Sequence, residues 1–266
     1  MDLELKGKVA VITGGSRGIG KAVAMELARE GVSVALIARD PAALEAAAAD
    51  IAKAAGVKAK GYKADTGDDA SVKAAVAEIA GEFGRIDILV NGAAQPGGQA
   101  KPPTLAEITN DHFWADMNVK VMGYLRMARE VTPHMVKAGG GRIINISGLA
   151  ARNAGSTIGS MRNVAVAALT KNLADELAPK NIQVVCVHPA LTRTEKTPAV
   201  IERRAKTEGL SPAEIEKQMG KKNLTGKLIS SEEVAYVVTF LASPRAISIN
   251  GDSIATGGGV PGAIHY

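Results

Sequence analysis

Short, unbroken apolar runs alternate along this chain with longer segments in which apolar residues recur every three or four positions. "KVAVIT" (Lys8–Thr13) and "VSVALIA" (Val32–Ala38) are of the first kind. They are too continuous to keep a solvated face, so they read as strands covered on both sides. Between them, "GKAVAMELAREG" has helical spacing and ends on a glycine suited to a left-handed helix terminus. The alternation predicts a helix over 42–55, a strand over 58–63 and a helix over 70–83. A strand in "IDILVN" and one helix over 111–137 come next, then a strand in "RIINIS" and a helix over 156–177. A strand in "IQVVCVH", a helix beginning near Ser231 and a last strand in "DSIAT" complete the pattern. Such alternation predicts an α/β fold: a three-layer, doubly wound parallel sheet with helices on both faces, formed by residues 1–266 as a single domain.

The stretch 195–227 breaks the rhythm. It is polar, helical in pattern and inserted after the carboxyl end of a strand, where open α/β sheets bind ligands, so it is expected to be a substrate lid. The other local signal is "VAVITGGSRGIG", which sets Thr13, Gly14, Gly18 and Gly20 at the first strand-to-helix turn. Glycines there let backbone N–H groups approach a pyrophosphate, and the helix terminus adds a favourable field.

Composition narrows the function. The chain is 46% hydrophobic and 22% charged, as expected of a globular protein. No apolar run reaches membrane-spanning length, and the N-terminus has no signal-peptide layout, so a cytoplasmic protein without a membrane partner is expected. A net charge of +5 could suggest nucleic acid, but aromatics are only 3% and no dense Lys/Arg block occurs, which argues against it. The single cysteine, Cys186, excludes an internal disulfide and reads as a buried small hydrophobe. His112, His134, His188 and His265 lack ligand spacing, so no metal site is expected.

Over essentially its whole length the chain resembles the short-chain dehydrogenase/reductase family, whose Rossmann fold and nicotinamide cofactor are thereby implied. "TGGSRGIG" resembles that family's glycine motif. The resemblance implies cofactor contacts from Thr13, Gly14, Ser16, Arg17, Gly18, Ile19 and Gly20. "ADT" brings Asp65 and Thr66 to the adenine, and "NGAA" brings Asn91, Gly92 and Ala93 to the same cleft. "HPALTRT" is similar to the segment that holds the nicotinamide carboxamide, which implicates Pro189, Ala190, Leu191, Thr192 and Thr194. Asn118 and Ser147 match the family's active-site Asn and substrate-orienting Ser, and "NGDSIATGG" resembles its closing strand. A small or medium carbonyl or alcohol substrate is the implied target.

Cofactor choice has a physical argument. An acidic residue ending the second strand would accept from the ribose hydroxyls of NAD and repel a 2′-phosphate. In "VALIARD" that place falls to Ala38, with Arg39 next and Arg17 in the glycine loop as a second cation. Two guanidiniums favour NADP, while Asp40 keeps NAD possible if the turn is shifted by one residue.

One part of the resemblance fails. The family carries a proton-donating tyrosine and, one turn later, a lysine at the head of the 156–177 helix. Aligned on "AALTKNLA" those places hold Gly159 and Asn163; counted from Ser147 they hold Ser160 and Val164. A positioned general acid contributes on the order of a hundred- to ten-thousandfold. The sequence therefore implies an atypical oxidoreductase, with a catalytically idle binding protein or non-redox chemistry as alternatives. Arg152 and Arg162 could stabilise an oxyanion by charge or simply be solvated, His188 reads as structural, and Tyr124 is spaced off the Asn118 face. Family members pair through the helices corresponding to 111–137 and 156–177, which implies a homodimer or homotetramer. The apolar Ile264 and Tyr266 are expected to dock, and His265 or Tyr266 could reach a partner's cleft.

Overall fold

The computed structural model describes residues 1–94 and 102–261; the expected docking of Ile264 and Tyr266, and any reach of His265, lie outside the described residues. The first half runs β1 (Val9–Thr13), α1 (Gly18–Arg29), β2 (Ser33–Ala38), α2 (Pro41–Ala55), β3 (Ala59–Lys63), α3 (Asp69–Phe83) and β4 (Ile88–Asn91). Next come α4 (Asn110–Met117), α5 (Gly123–Lys137), β5 (Gly141–Ile146), α6 (Thr157–Leu177), β6 (Ile182–Pro189) and β7 (Thr192–Arg193). The last elements are α7 (Thr197–Glu208), α8 (Pro212–Gly220), β8 (Ile229–Ser230), α9 (Ser231–Ala242) and β9 (Ser253–Thr256). Seven strands form one parallel sheet in the order β3-β2-β1-β4-β5-β6-β9, and β7 pairs with β8 apart from it.

The continuous apolar strands are explained by the two cores. Ala10, Ile12, Val34, Leu36, Val90 and Ile144 pack with α1, α2 and α9. The alternate residues Val11, Ala35, Ile37, Leu89 and Ile143 face α3, α5 and α6 on the other side. The period of two thus puts successive side chains into opposite cores. Inside 195–227, α7 and α8 pack on each other through Ile201, Ala205, Ile215 and Met219, so the insertion has an apolar seam of its own.

One element differs from expectation. The single helix over 111–137 is interrupted: a π-helical turn, Asn118–Met122, joins α4 to α5 without a break in the helical path. A π turn accommodates an extra residue and often marks a functional position. Here it carries Asn118 and Lys120, which turn to opposite sides of the helix.

Candidate functional site

The site is built along the carboxyl edge of the sheet, beginning at the glycine loop. Gly14 has φ +70°, and a Cβ on it would stand 2.9 Å from the Gly92 carbonyl oxygen; one on Gly20 would stand 2.3 Å from that of Gly14. No side chain fits at either place, so the loop is drawn tight against both the first turn of α1 and the end of β4. Thr13, wholly buried, completes the junction: its hydroxyl accepts from Gly92 N at 3.0 Å and Ala93 N at 3.1 Å. Ser16 is buried in the same loop, whereas Gly18 and Ile19 are half-buried at the head of α1. Helix termini leave their first N–H groups unpaired. One of these is taken: Gly18 N donates to the carboxylate of Glu195 at 3.1 Å. An anionic oxygen thus already rests where the loop presents backbone donors.

The end of β2 lies beside this loop. Ala38 closes the strand, Arg39 is exposed, and Arg17 reaches across to Asp40 at 3.3 Å. The other Asp40 oxygen caps α2 by accepting from Ala43 N at 3.2 Å. Asp40 is therefore engaged twice by its own neighbours, and one of those contacts occupies Arg17 as well. Beyond β3, Asp65 accepts from Gly67 N at 2.8 Å, and the Thr66 hydroxyl donates to the Val119 carbonyl at 3.2 Å. Asn91 donates to Asn145, which donates on to Thr170, a buried polar chain under β4, β5 and α6. On the far side, Pro189 ends β6 and residues 190–195 turn back over the glycine loop, with Thr194 Cγ2 3.6 Å from a Cβ built on Gly18. In that segment Leu191 is exposed, and the Thr192 hydroxyl donates to the Ala190 carbonyl at 3.0 Å. The glycine loop, Asn91–Ala93 and Pro189–Glu195 therefore border one stretch of sheet edge.

The two expected active-site side chains are both tied down. Asn118 Nδ2 donates to the Gly67 carbonyl at 3.0 Å, bracing the loop after β3. The Ser147 hydroxyl donates into α6, to the Asn163 carbonyl at 3.0 Å, and lies 3.3 Å from Asn163 Oδ1. Gly159 is buried without a side chain to offer, and a Cβ there would stand 2.7 Å from Ser156 Oγ, the cap of α6. Arg162 pairs with Asp116, and Arg152 donates to the Ser253 carbonyl at 2.9 Å, so neither is a solvated spare charge. His188 is buried, with its Nδ1 3.9 Å from Cys186 Sγ.

Lys120 is the residue that sequence reasoning missed. Its ammonium is buried between the Ser147 carbonyl, at 2.9 Å, and Asn163 Oδ1, at 3.0 Å. One turn on, the Tyr124 hydroxyl donates to the adjoining Ile146 carbonyl at 2.9 Å, so two successive carbonyls of the β5 exit are held from one helix face. Burial pushes the Lys120 amine down to about 7, helped by the neighbouring Arg162 charge and opposed by Cys186 and Asp116. Burial likewise raises the Tyr124 phenol and the Cys186 thiol, so both stay neutral. A lysine amine therefore stands against Asn163, but it arrives from the helix opposite. The available signal was a lone lysine in the apolar run "MNVKVMG", a pattern that a solvated helix face does not need.

A family model for short chain dehydrogenases matches residues 8–205. This chain belongs to that family. Short-chain reductase protein NovJ of Streptomyces niveus is 35% identical over 254 residues, 95% of this chain and 94% of the relative. A 3-oxoacyl-[acyl-carrier-protein] reductase, FabG of Vibrio harveyi, is 33% identical over 261 residues, 97% and 99% of the two chains. Among solved structures, L-sorbose reductase of Gluconobacter frateurii, complexed with NADPH and L-sorbose, superposes with a TM-score of 0.93 at 30% identity, covering 99% of this chain and 100% of that one. The short-chain dehydrogenase has no metal-binding cluster of His, Cys, Asp and Glu among the described residues, and no described helix is long and apolar enough to cross a membrane.

Proposed function

We propose that this short-chain dehydrogenase is an NADP(H)-dependent oxidoreductase acting on a small or medium carbonyl or alcohol substrate, without the usual tyrosine–lysine pair. The observation that carries the reading is the glycine loop: two closely packed glycines and a helix terminus with a carboxylate oxygen already accepting from Gly18 N. A pyrophosphate offers the same chemistry with more charge. The residues fit such a dinucleotide: loop amides for the phosphates, Arg17 and Arg39 for a 2′-phosphate, Asp65 and Thr66 toward the adenine side, and Pro189–Thr194 toward the nicotinamide carboxamide. NADPH is also the cofactor with which the structurally similar L-sorbose reductase is complexed. NAD remains a usable alternative, since Asp40 would need only to release Arg17 to meet a ribose. Bound NADPH would supply hydride.

The chain's own contributions are binding and exclusion. Asn118 and Ser147 shape the substrate cleft by bracing the loop after β3 and the exit of β5, and 195–227 closes over it as a lid. Exposed apolar residues on α4, α5 and α6, among them Trp114, Leu125, Met161 and Val164, favour a homo-oligomer that covers them. A second reading, an idle dinucleotide sensor, is favoured by the bare backbone at Gly159. Consumption of NADPH with a panel of ketoses, diketones and 3-oxoacyl thioesters decides between them. Turnover of one class, reduced by blocking the glycine loop, is the expected result; saturable NADPH binding with no turnover supports the sensor.

A further inference from the structure

Helix α1 begins without an anion of its own. Arg17 stands at its N-cap and makes no side-chain cap, and no acidic residue lies in the first turn. By contrast α2, α3, α6, α8 and α9 are each capped by an oxygen of the side chain just before them. The anion at α1 comes instead from 177 residues away, where Gly18 N donates to Glu195 Oε2 at 3.1 Å. The helix field favours such an oxygen whatever its source.

Glu195 is the first residue of the insertion 195–227, and the chain around it is braced. Thr194 N donates to Thr197 Oγ1 at 2.8 Å, and Thr197 N donates to the Thr194 carbonyl at 3.0 Å, so the turn that carries Glu195 is closed twice. Just before it, Thr192 and Arg193 of β7 pair with Ile229 and Ser230 of β8, which joins the entry of the insertion to its exit. Arg193 also pairs with Glu216 of α8. With a closed neck and an apolar seam of its own through Ile201, Ala205, Ile215, Met219 and Leu228, the insertion is built to shift as a unit. Its far end rests on the exit of β9, where Leu224 N meets the Gly258 and Gly259 carbonyls at 3.0 and 3.2 Å. Its near end rests on the glycine loop through Glu195.

Two anions do not share Gly18 N. A pyrophosphate at this loop needs the donor that Glu195 holds and sets like charge against the carboxylate. The neck is close as well, since Thr194 Cγ2 stands 3.6 Å from a Cβ built on Gly18. We propose that Glu195 is an internal competitor for the dinucleotide's pyrophosphate, and that its displacement releases the near end of the lid. The inference rests on the dinucleotide reading and adds a coupling to it. The pinned lid weakens the dinucleotide, and the bound dinucleotide loosens the lid by the same factor. Because Glu195 is exposed, that factor is modest, about threefold.

The test is amide hydrogen exchange across 196–227 in the full chain, read by mass spectrometry. Two saturating ligands are compared: 2′-phospho-ADP-ribose, which has the pyrophosphate and lacks the nicotinamide, and adenosine 2′-monophosphate, which lacks both. The first is expected to speed exchange in 196–227 about threefold, and the second to leave it unchanged. Free Glu195→Ala should already exchange at the faster rate, gain nothing further from 2′-phospho-ADP-ribose, and bind it roughly threefold more tightly in calorimetry. Equal exchange in the free unmodified chain and free Glu195→Ala overturns the proposal, with no ligand involved. So does a ligand-driven rise that persists in Glu195→Ala, because another contact then carries the coupling. So does tighter binding by Glu195→Ala with exchange unaltered, since the side chain then swings away alone. An unmodified chain that binds neither ligand overturns the dinucleotide reading itself, a result distinct from these.

Discussion

Replacing Lys120 by Met removes a proton-binding group whose affinity folding has changed. The native amine lies at about 7 against 10.5 in the unfolded chain, because burial between Ser147 and Asn163 disfavours its charged form. From pH 7 to 10 the unfolded chain therefore binds more protons than the native one, and stability must rise with pH across that window. The penalty is fully present below about pH 7 and is gone above the unfolded value. Each pH unit in the window is worth up to about 1.4 kcal/mol, which gives a gain of about 2 kcal/mol between pH 7 and 9, or about 5 °C in Tm for a chain this size. Arg162, Asp116, Cys186 and Tyr124 surround the amine from α6, α4, β6 and its own helix, and the difference between variant and unmodified chain cancels their shared titration. At pH 7 the substitution also strands the Ser147 carbonyl, costing about 1–3 kcal/mol, so absolute stability there is a poor readout. The diagnostic quantity is slope: urea unfolding at pH 7 and pH 9 should show the unmodified chain gaining about 2 kcal/mol more than Lys120→Met. Parallel pH profiles would refute the claim that the buried amine titrates near neutrality.

The remaining predictions concern the same cleft. Glu195→Gln removes the carboxylate that rests on Gly18 N, and NADPH should then bind roughly threefold more tightly, a modest gain because the contact is exposed; unchanged affinity in calorimetry would show that Glu195 does not compete. Gly20→Val sets a side chain 2.3 Å from the Gly14 carbonyl, so dinucleotide binding should be lost even in a variant that folds by circular dichroism. Restoring the family pair by Gly159→Tyr and Asn163→Lys should fail while Lys120 remains, because two ammonium groups would crowd the space where Nζ now meets Oδ1 at 3.0 Å. Adding Lys120→Ser should recover thermal stability and expose diketone reductase activity; a folded triple variant with no such activity would refute this.

The layers, the parallel sheet and the glycine loop could be read from the chain because their signals are local. Buried strands need uninterrupted apolar residues, helices need their period, and Gly14 and Gly20 serve one turn. The site's polar interior could not be read in the same way. Asn118 and Ser147 are nominated by position, but where their side chains point depends on Gly67 and on the Asn163 carbonyl, partners far away in sequence. Lys120 was missed because helical spacing alone does not reveal a π turn, nor which neighbouring helix will receive a long side chain. Asn163 was judged by what it lacked relative to a lysine. Its amide oxygen meets a lysine amine that reaches it from the opposite helix.

The central proposal is that this short-chain dehydrogenase keeps a site for NADP(H) without the tyrosine–lysine pair. Equilibrium titration of the unmodified chain with NADPH and with NADH, repeated on Arg39→Ala, tests it most directly. Tighter binding of NADPH is the predicted result, with the gap narrowed roughly five- to thirtyfold in Arg39→Ala, the scale of one charge-assisted contact. Equal affinities in the unmodified chain, or no saturable binding of either dinucleotide, would contradict it.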